Sequence, residues 1–421
     1  MPSSFSLQPA AGIDSPALWG AAPSLLSLAL MDARNHTLSL LSCYEDAEDA
    51  DQWHWRAGPG QEPPLWLAGH VGWFSEYWIA RNTRRSLGLN CPPDPLRLPS
   101  IDVAGDRLWD PALRSRQQRA AEALPGRASV RAWLLDTLET TLDLLERLPP
   151  DDAAIYFFRL ALFHEDLVGE HLIRMAQTQG LALSLPAPEP WVQRPALAFP
   201  ATHWVMPQRA APFLPEGLPG RLELALPEFE IDAQPVNWAQ YIEFVGDGGY
   251  DRRELWHPEG WLWLQSFAAQ GGRHMPRHVE QLGVARLGGS ASVVQHRFGR
   301  AVRLSAQQPV SHLSWWEADA WCRWAGRRLP DEAEWDLAAQ LGAVRGFRFG
   351  GVREWCANRL QAWPGAQPGP WGDYAWPWMG QARVLRGHGL SARARLRDPS
   401  WRWFALPDDD EGFNGFRSCS L

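Results

Sequence analysis

Between Leu185 and Pro200 the chain carries five prolines, Pro186, Pro188, Pro190, Pro195 and Pro200. Proline fixes φ and removes a backbone donor, so this stretch continues neither a helix nor a central strand. It also separates two different sequence textures. We read residues 1–184 as one unit, 185–200 as a linker and 201–421 as a second unit, a division that suits 421 residues.

Before the linker, apolar residues recur at helical spacing over Ser15–Cys43, Leu65–Arg85, Arg127–Leu148 and Ala153–Gln177. Four amphipathic stretches of this length predict a four-helix bundle. Pro149 and Pro150 end the third, and Asp151 and Asp152 suit the N-terminus of the fourth. Asn90–Asp110 is proline-rich and reads as a long loop. After the linker, short apolar pieces alternate with Gly, Pro, Trp and Arg. Only Trp315–Gly326 and Asp331–Gln340 read as helices there, so the second unit is an irregular mixed domain and the fold class is α+β. The chain holds 26 tryptophans, many in Gly-rich surroundings, which suits a fold built on large rings and offers walls for a cationic ligand.

Composition excludes several functions. A formal charge of −8 speaks against a nucleic-acid partner. Lysine is absent, so all 40 basic residues are arginine. That removes Schiff-base lysine chemistry and a Walker-type phosphate loop. No apolar run reaches the ~18 residues of a membrane span. Met1–Pro16 has no basic residue and no continuous apolar core, unlike a secretory leader. Five cysteines without a CxxC fit reduced thiols. The expected location is the cytoplasm.

Two histidine contexts carry metal chemistry. His70 lies in Trp66-Leu67-Ala68-Gly69-His70-Val71-Gly72-Trp73-Phe74 and His164 in Phe163-His164-Glu165-Asp166-Leu167-Val168-Gly169-Glu170-His171. Histidines from facing helices can hold a divalent ion, and each also reads as an interior histidine bonded within the core. Ligand pairs on one helix use i,i+3 or i,i+4 spacing. His164 has Leu167 and Val168 there. His171 lies about 10.5 Å further along, so this is not an HExxH zinc motif. In the second half, Arg327 and Arg328 beside Glu334 read as an ion-pair network, and Leu329-Pro330-Asp331-Glu332 as a helix entrance.

Three further segments pair glycine turns with an aromatic and an arginine: Gly350-Gly351-Val352-Arg353-Glu354-Trp355, Val384-Leu385-Arg386-Gly387-His388-Gly389-Leu390 and Gly412-Phe413-Asn414-Gly415-Phe416-Arg417-Ser418-Cys419. In this order they resemble the formylglycine-generating-enzyme/sulfatase-modifying-factor superfamily over about residues 200–421. The helical half resembles the DinB-like bundle. Together they are similar to the ergothioneine sulfoxide synthase (EgtB) family and its selenium relative, the selenoneine synthases (SenA). The pieces Glu230–Tyr241, Asp247–Asp251 and Gly415–Cys419 look closest to the selenium branch.

The resemblance implies a nonheme iron(II) enzyme that uses dioxygen and joins sulfur or selenium to C2 of the hercynine imidazole. Three histidines hold iron in that family. His70 and His164 match two of them, and Val168 stands at the third, with His171, Glu165 or water as substitutes. Tyr374 is the candidate proton donor, with Trp371 beside it. Trp73, Trp403, Phe404 and Trp378 are candidate walls for the trimethylammonium, and Arg417 or Arg402 for the carboxylate. The family's Asn and first Trp in the Gly-Asn-Val-Trp-Glu-Trp stretch are Gly351 and Arg353. Where sulfur enzymes show Asn-Trp-Asp, this chain has Trp403-Phe404-Ala405. That absence of an acid favours a selenium sugar as donor over a cysteine-containing thiol. A monomer is expected. A non-catalytic binding homologue is the reading from another class, and Val168 is its support. A copper formylglycine-generating enzyme needs neighbouring core cysteines, which Cys356 and Cys419 do not supply in sequence.

Overall fold

The computed structural model describes residues 12–46, 61–206, 213–215, 217–218, 220–283 and 292–421. Most of Met1–Pro16, read above for a leader, lies outside them. Four long helices form the first half: α1 (Pro23–Asp46), α2 (Pro64–Ser75), α3 (Arg127–Glu146) and α4 (Asp152–Gln179). The Asp151 side chain accepts from the Ala154 amide and starts α4, and Gly180, at φ 72°, ends it. α2 is buried along all twelve residues, which explains its lack of a polar face. It ends in a π turn over Glu76–Ala80 rather than running to Arg85. The proline-rich 90–110 segment is a loop closed by one helical turn, Gly105–Trp109.

The expected linker is not wholly irregular. Its last residues form β1 (Leu197–Phe199), antiparallel to β2 (Phe229–Ile231). The second half adds α5 (Trp238–Gly246) and a three-stranded antiparallel sheet of β3 (Val279–Gly283), β4 (Ser292–Arg297) and β5 (Arg300–Ser305). α6 (Trp315–Trp324) and α7 (Glu332–Leu341) begin at reciprocal capping boxes, Ser314 with Glu317 and Asp331 with Glu334. Arg328 forks onto Glu334 at 2.7 Å, while Arg327 turns to Asp232 and Ser418.

A four-stranded sheet follows, ordered β8-β7-β6-β9 from β6 (Arg353–Arg359), β7 (Arg383–Gly387), β8 (Trp403–Ala405) and β9 (Asn414–Gly415). Register sets Phe404 opposite Val384 and Trp403 opposite Leu385. Arg395, between β7 and β8, is fully buried in the helical half. It forks onto Asp166 of α4 at 2.7 and 2.6 Å and reaches Asp32 of α1 at 2.9 Å. The Trp19 indole donates to the Arg395 carbonyl at 2.8 Å. The second half is thus keyed into the first two residues from His164.

Candidate metal centre and adjoining groove

α2 and α4 bring His70 and His164 together inside the bundle, with ring centroids 4.9 Å apart and planes at 73°. Two imidazoles sharing one ion at metal–nitrogen distances of about 2.1 Å give centroids about 5 Å apart. His70 Nδ1 lies 2.9 Å from the Trp109 carbonyl oxygen. A carbonyl only accepts, so Nδ1 carries the proton and Nε2 keeps its lone pair. Gly69 permits this approach, because a Cβ there collides with the Trp109 indole. Burial pushes His70 down to about 4 despite the Trp109 bond. Burial, and then the neighbouring His70, hold His164 well below the usual range. Both rings are therefore neutral at pH 7.

His164 Nδ1 is buried without a hydrogen-bond partner among the described residues. An orphaned imidazole nitrogen beside a tautomer-fixed imidazole suits a nitrogen-binding divalent metal such as iron. That fit covers two ligand positions. Val168, one turn after His164, is buried and apolar. Glu165 is spent on Arg34, at 2.8 and 3.2 Å, and on Thr37 at 3.0 Å. His171 accepts from Arg174 at 3.0 Å and lines a groove further along. The sequence-based substitutes Glu165 and His171 therefore serve other contacts. The described residues contain no group of three His, Cys, Asp or Glu side chains placed to hold a metal.

Aromatic rings enclose the pair. Phe74 stacks on His164 at 3.8 Å, and Trp66 and Trp73 flank His70 at 4.9 and 5.4 Å. Trp371 meets the His164 ring at 5.5 Å, Tyr374 stacks on Trp371 at 5.1 Å, and Phe404 meets Tyr374 at 5.2 Å. This chain of rings leads from the histidines to a groove of about 650 Å³, lined by Arg116, His171, Arg174, Tyr374, Trp378, Phe404 and the 408–411 acids among others. A smaller cavity of about 150 Å³ shares His171, Arg174, Phe404 and Asp409 with it.

Tyr374, Phe404 and Trp378 line this groove. Four other candidates do not. Trp73 is occupied: His70 and Tyr77 stack against it, and its indole donates to Asp106 at 2.8 Å. Trp403 is buried, and the Arg353 guanidinium lies 4.1 Å over its ring. Arg417 is fully buried, forks onto Glu354, and donates to the Asp232 and Arg348 carbonyls at 2.8 and 2.6 Å. Arg402 forks onto Glu332 at 2.7 and 2.8 Å. Neither arginine is placed to receive a ligand carboxylate, because each already has its carboxylate. The sequence reading missed Phe74 and the pairing of Arg353 with Glu170 at 2.7 Å. It also missed a second histidine pair, His278 and His312, again 4.9 Å apart.

A DinB superfamily domain matches residues 29–178, and a sulfatase-modifying factor enzyme 1-like domain matches residues 216–349. Over nearly its whole length the chain is similar to the "Hercynine oxygenase" of Mycolicibacterium smegmatis, at 27% identity over 91% of this chain and 96% of that protein. The "Hercynine oxygenase" of Mycobacterium tuberculosis is 26% identical over 94% of this chain and 98% of its own. A shorter stretch, 23% of the chain, is 38% identical to 34% of the Mycobacterium tuberculosis "Formylglycine-generating enzyme". Domain pair and full-length similarity support the EgtB-like family as a whole rather than either of its branches. No helix among the described residues is long and apolar enough to cross a membrane.

Proposed function

We propose that this protein is a nonheme iron(II), dioxygen-dependent enzyme that forms a carbon–selenium bond at C2 of the hercynine imidazole, with a selenium sugar as donor. The carrying observation is the full-length similarity to hercynine oxygenases, combined with a neutral histidine pair inside the helical half of this chain. His70 and His164 would hold the iron, which when bound supplies the chemistry by which dioxygen reacts. The protein's own residues exclude water, orient the substrate and handle protons. Phe74 and Trp371 keep the histidines dry. Tyr374, whose ring lies between Trp371 and Phe404, would give or take the proton. Phe404 and Trp378 offer ring faces to the trimethylammonium, which cannot donate hydrogen bonds. Selenium is favoured by Ala405, which leaves no acid at the position where sulfur enzymes carry one.

Two other readings each have an observation behind them. The named relatives support a sulfoxide synthase that uses a cysteine-containing thiol. Val168 supports a homologue that binds without turnover. Incubation of iron(II)-loaded protein in air with hercynine, a selenium sugar and γ-glutamylcysteine separates all three by product mass. A selenium isotope pattern on the hercynine product supports the first. A sulfur-containing sulfoxide replaces it with the second. No product, with no iron bound, leaves the third.

A further inference from the structure

A second opening in the helical half shares no lining residue with the groove. It holds about 200 Å³ between the π turn at Glu76–Ala80, helix α3 and the 101–102 loop. π turns are rare and recur at functional sites. The rim is tied down. The buried Glu76 carboxylate accepts from the Ser100 hydroxyl and the Ile101 amide, both at 2.9 Å, and so clamps the loop to the helix. The Trp133 indole forms part of the wall, packed where a Cβ on Gly72 would fall.

Every side-chain donor of this lining is spent inside the protein. The Trp133 indole donates to the Gly69 carbonyl at 3.3 Å. Thr137, Thr140 and Thr141 donate to the carbonyls four residues earlier, at 2.9, 3.0 and 2.7 Å. What remains unused is acceptor. Asp136 stands exposed on α3, and its carboxylate has no hydrogen bond or ion pair among the described residues. Asp102 is half-buried and caps the Ala104 amide with Oδ1 at 2.9 Å, which leaves Oδ2 over. No described residue of the lining is basic. In the groove, by contrast, Asp409, Asp410 and Glu411 are each matched by an arginine.

Two unmatched carboxylates beside apolar walls repel an anion and give a neutral molecule little advantage. A protonated amine supplies N–H donors to both and brings the missing positive charge. Trp133 and Ala80 face an apolar body beside it. A dry cavity of about 150 Å³ admits benzene, so this one takes a single ring on a short chain. We propose that this opening binds a small organic cation: a protonated amine with an apolar body the size of one ring, held by Asp102 and Asp136. The site is independent of the hercynine reading, and its test needs no turnover.

Full-length protein is titrated with 2-phenylethylammonium by ligand-observed NMR, with 2-phenylethanol as the neutral isostere. At low ionic strength the ammonium should bind about tenfold tighter or more. Asp102→Asn combined with Asp136→Asn should remove that advantage. Asparagine keeps the Ala104 cap, and Asp136→Asn alone serves if the pair fails to fold. Glu139→Gln removes an exposed acid of the same helix outside the lining and should leave affinity within about twofold. Equal binding of alcohol and ammonium overturns the proposal, and so does failure of both to bind. Ammonium binding that the folded aspartate variants leave unchanged, or that Glu139→Gln weakens equally, overturns it as well.

Discussion

The molecule contains two histidine pairs of nearly the same ring geometry in opposite surroundings. His70–His164 and His278–His312 both have centroids 4.9 Å apart, with planes at 73° and 82°. Edge-to-face packing and shared coordination predict the same spacing, so spacing does not separate a ligand pair from a packed pair. Charge and backbone do. The first pair sits on helices, with Arg119 and Glu62 offsetting each other nearby. The second sits on loops, with both residues in the left-handed region at φ 64° and 61°. Arg273, Arg277 and Arg297 act on it, with Asp410, Glu411 and Glu317 paired to the first two. A divalent cation there would sit beside arginine–carboxylate pairs on left-handed loop backbone, whereas at the first pair it meets two neutral rings on facing helices.

The contrast breaks most sharply on iron content. His164→Ala should abolish bound iron and reduce turnover of hercynine about 100-fold or more, while His312→Ala should leave metal stoichiometry unchanged. Elemental analysis of the two variants decides it, and iron lost from His312→Ala would erase the distinction. Next in size is Arg395→Ala, which strands Asp166 in the interior and should cost roughly 3–5 kcal/mol in denaturant unfolding. His312→Ala should cost about 1–3 kcal/mol by leaving a cavity beside Phe413. Val168→His places a third imidazole one turn from His164 and should tighten iron binding about tenfold or more, read by chelator competition. An unchanged affinity would mean that the third position is filled by another group.

The smallest effect is a pH slope shared by both pairs. His70 and His278 titrate at about 4 in the folded protein, against about 6.5 unfolded. The unfolded chain therefore binds more protons between these values. Stability is full above about pH 6.5 and falls progressively as the pH drops towards 4. Unfolding followed across that window should take up protons, and a flat profile would contradict the burial of these rings.

Much of the fold was legible. The helix entrances at Asp151 and Asp331 and the helical stretches over Ala153–Gln177 and Trp315–Gly326 correspond to observed elements. Short strands such as Leu197–Phe199 were not, because two or three residues carry no readable period and pair only with distant partners. Within the candidate site, the meeting of His70 and His164 came from resemblance, not from spacing, since 94 residues separate them. Arg417 and Trp403 were misread for one reason. Sequence shows which groups can bind a ligand but not that Glu354 and Arg353 already occupy them. The second histidine pair left no signal, because histidine carries no mark of a left-handed backbone.

The Arg395 key also has a consequence in time. Asp166 is translated 229 residues before the arginine that neutralises it. At about 5–20 residues per second, the helical half waits on the order of ten seconds or more with buried Asp166 and half-buried Asp32 unmatched. Until the last stretch of chain emerges, the nascent bundle is less stable than the finished one. A ribosome stalled before codon 395 should therefore display a protease-sensitive bundle, which makes completion of the polypeptide its own checkpoint.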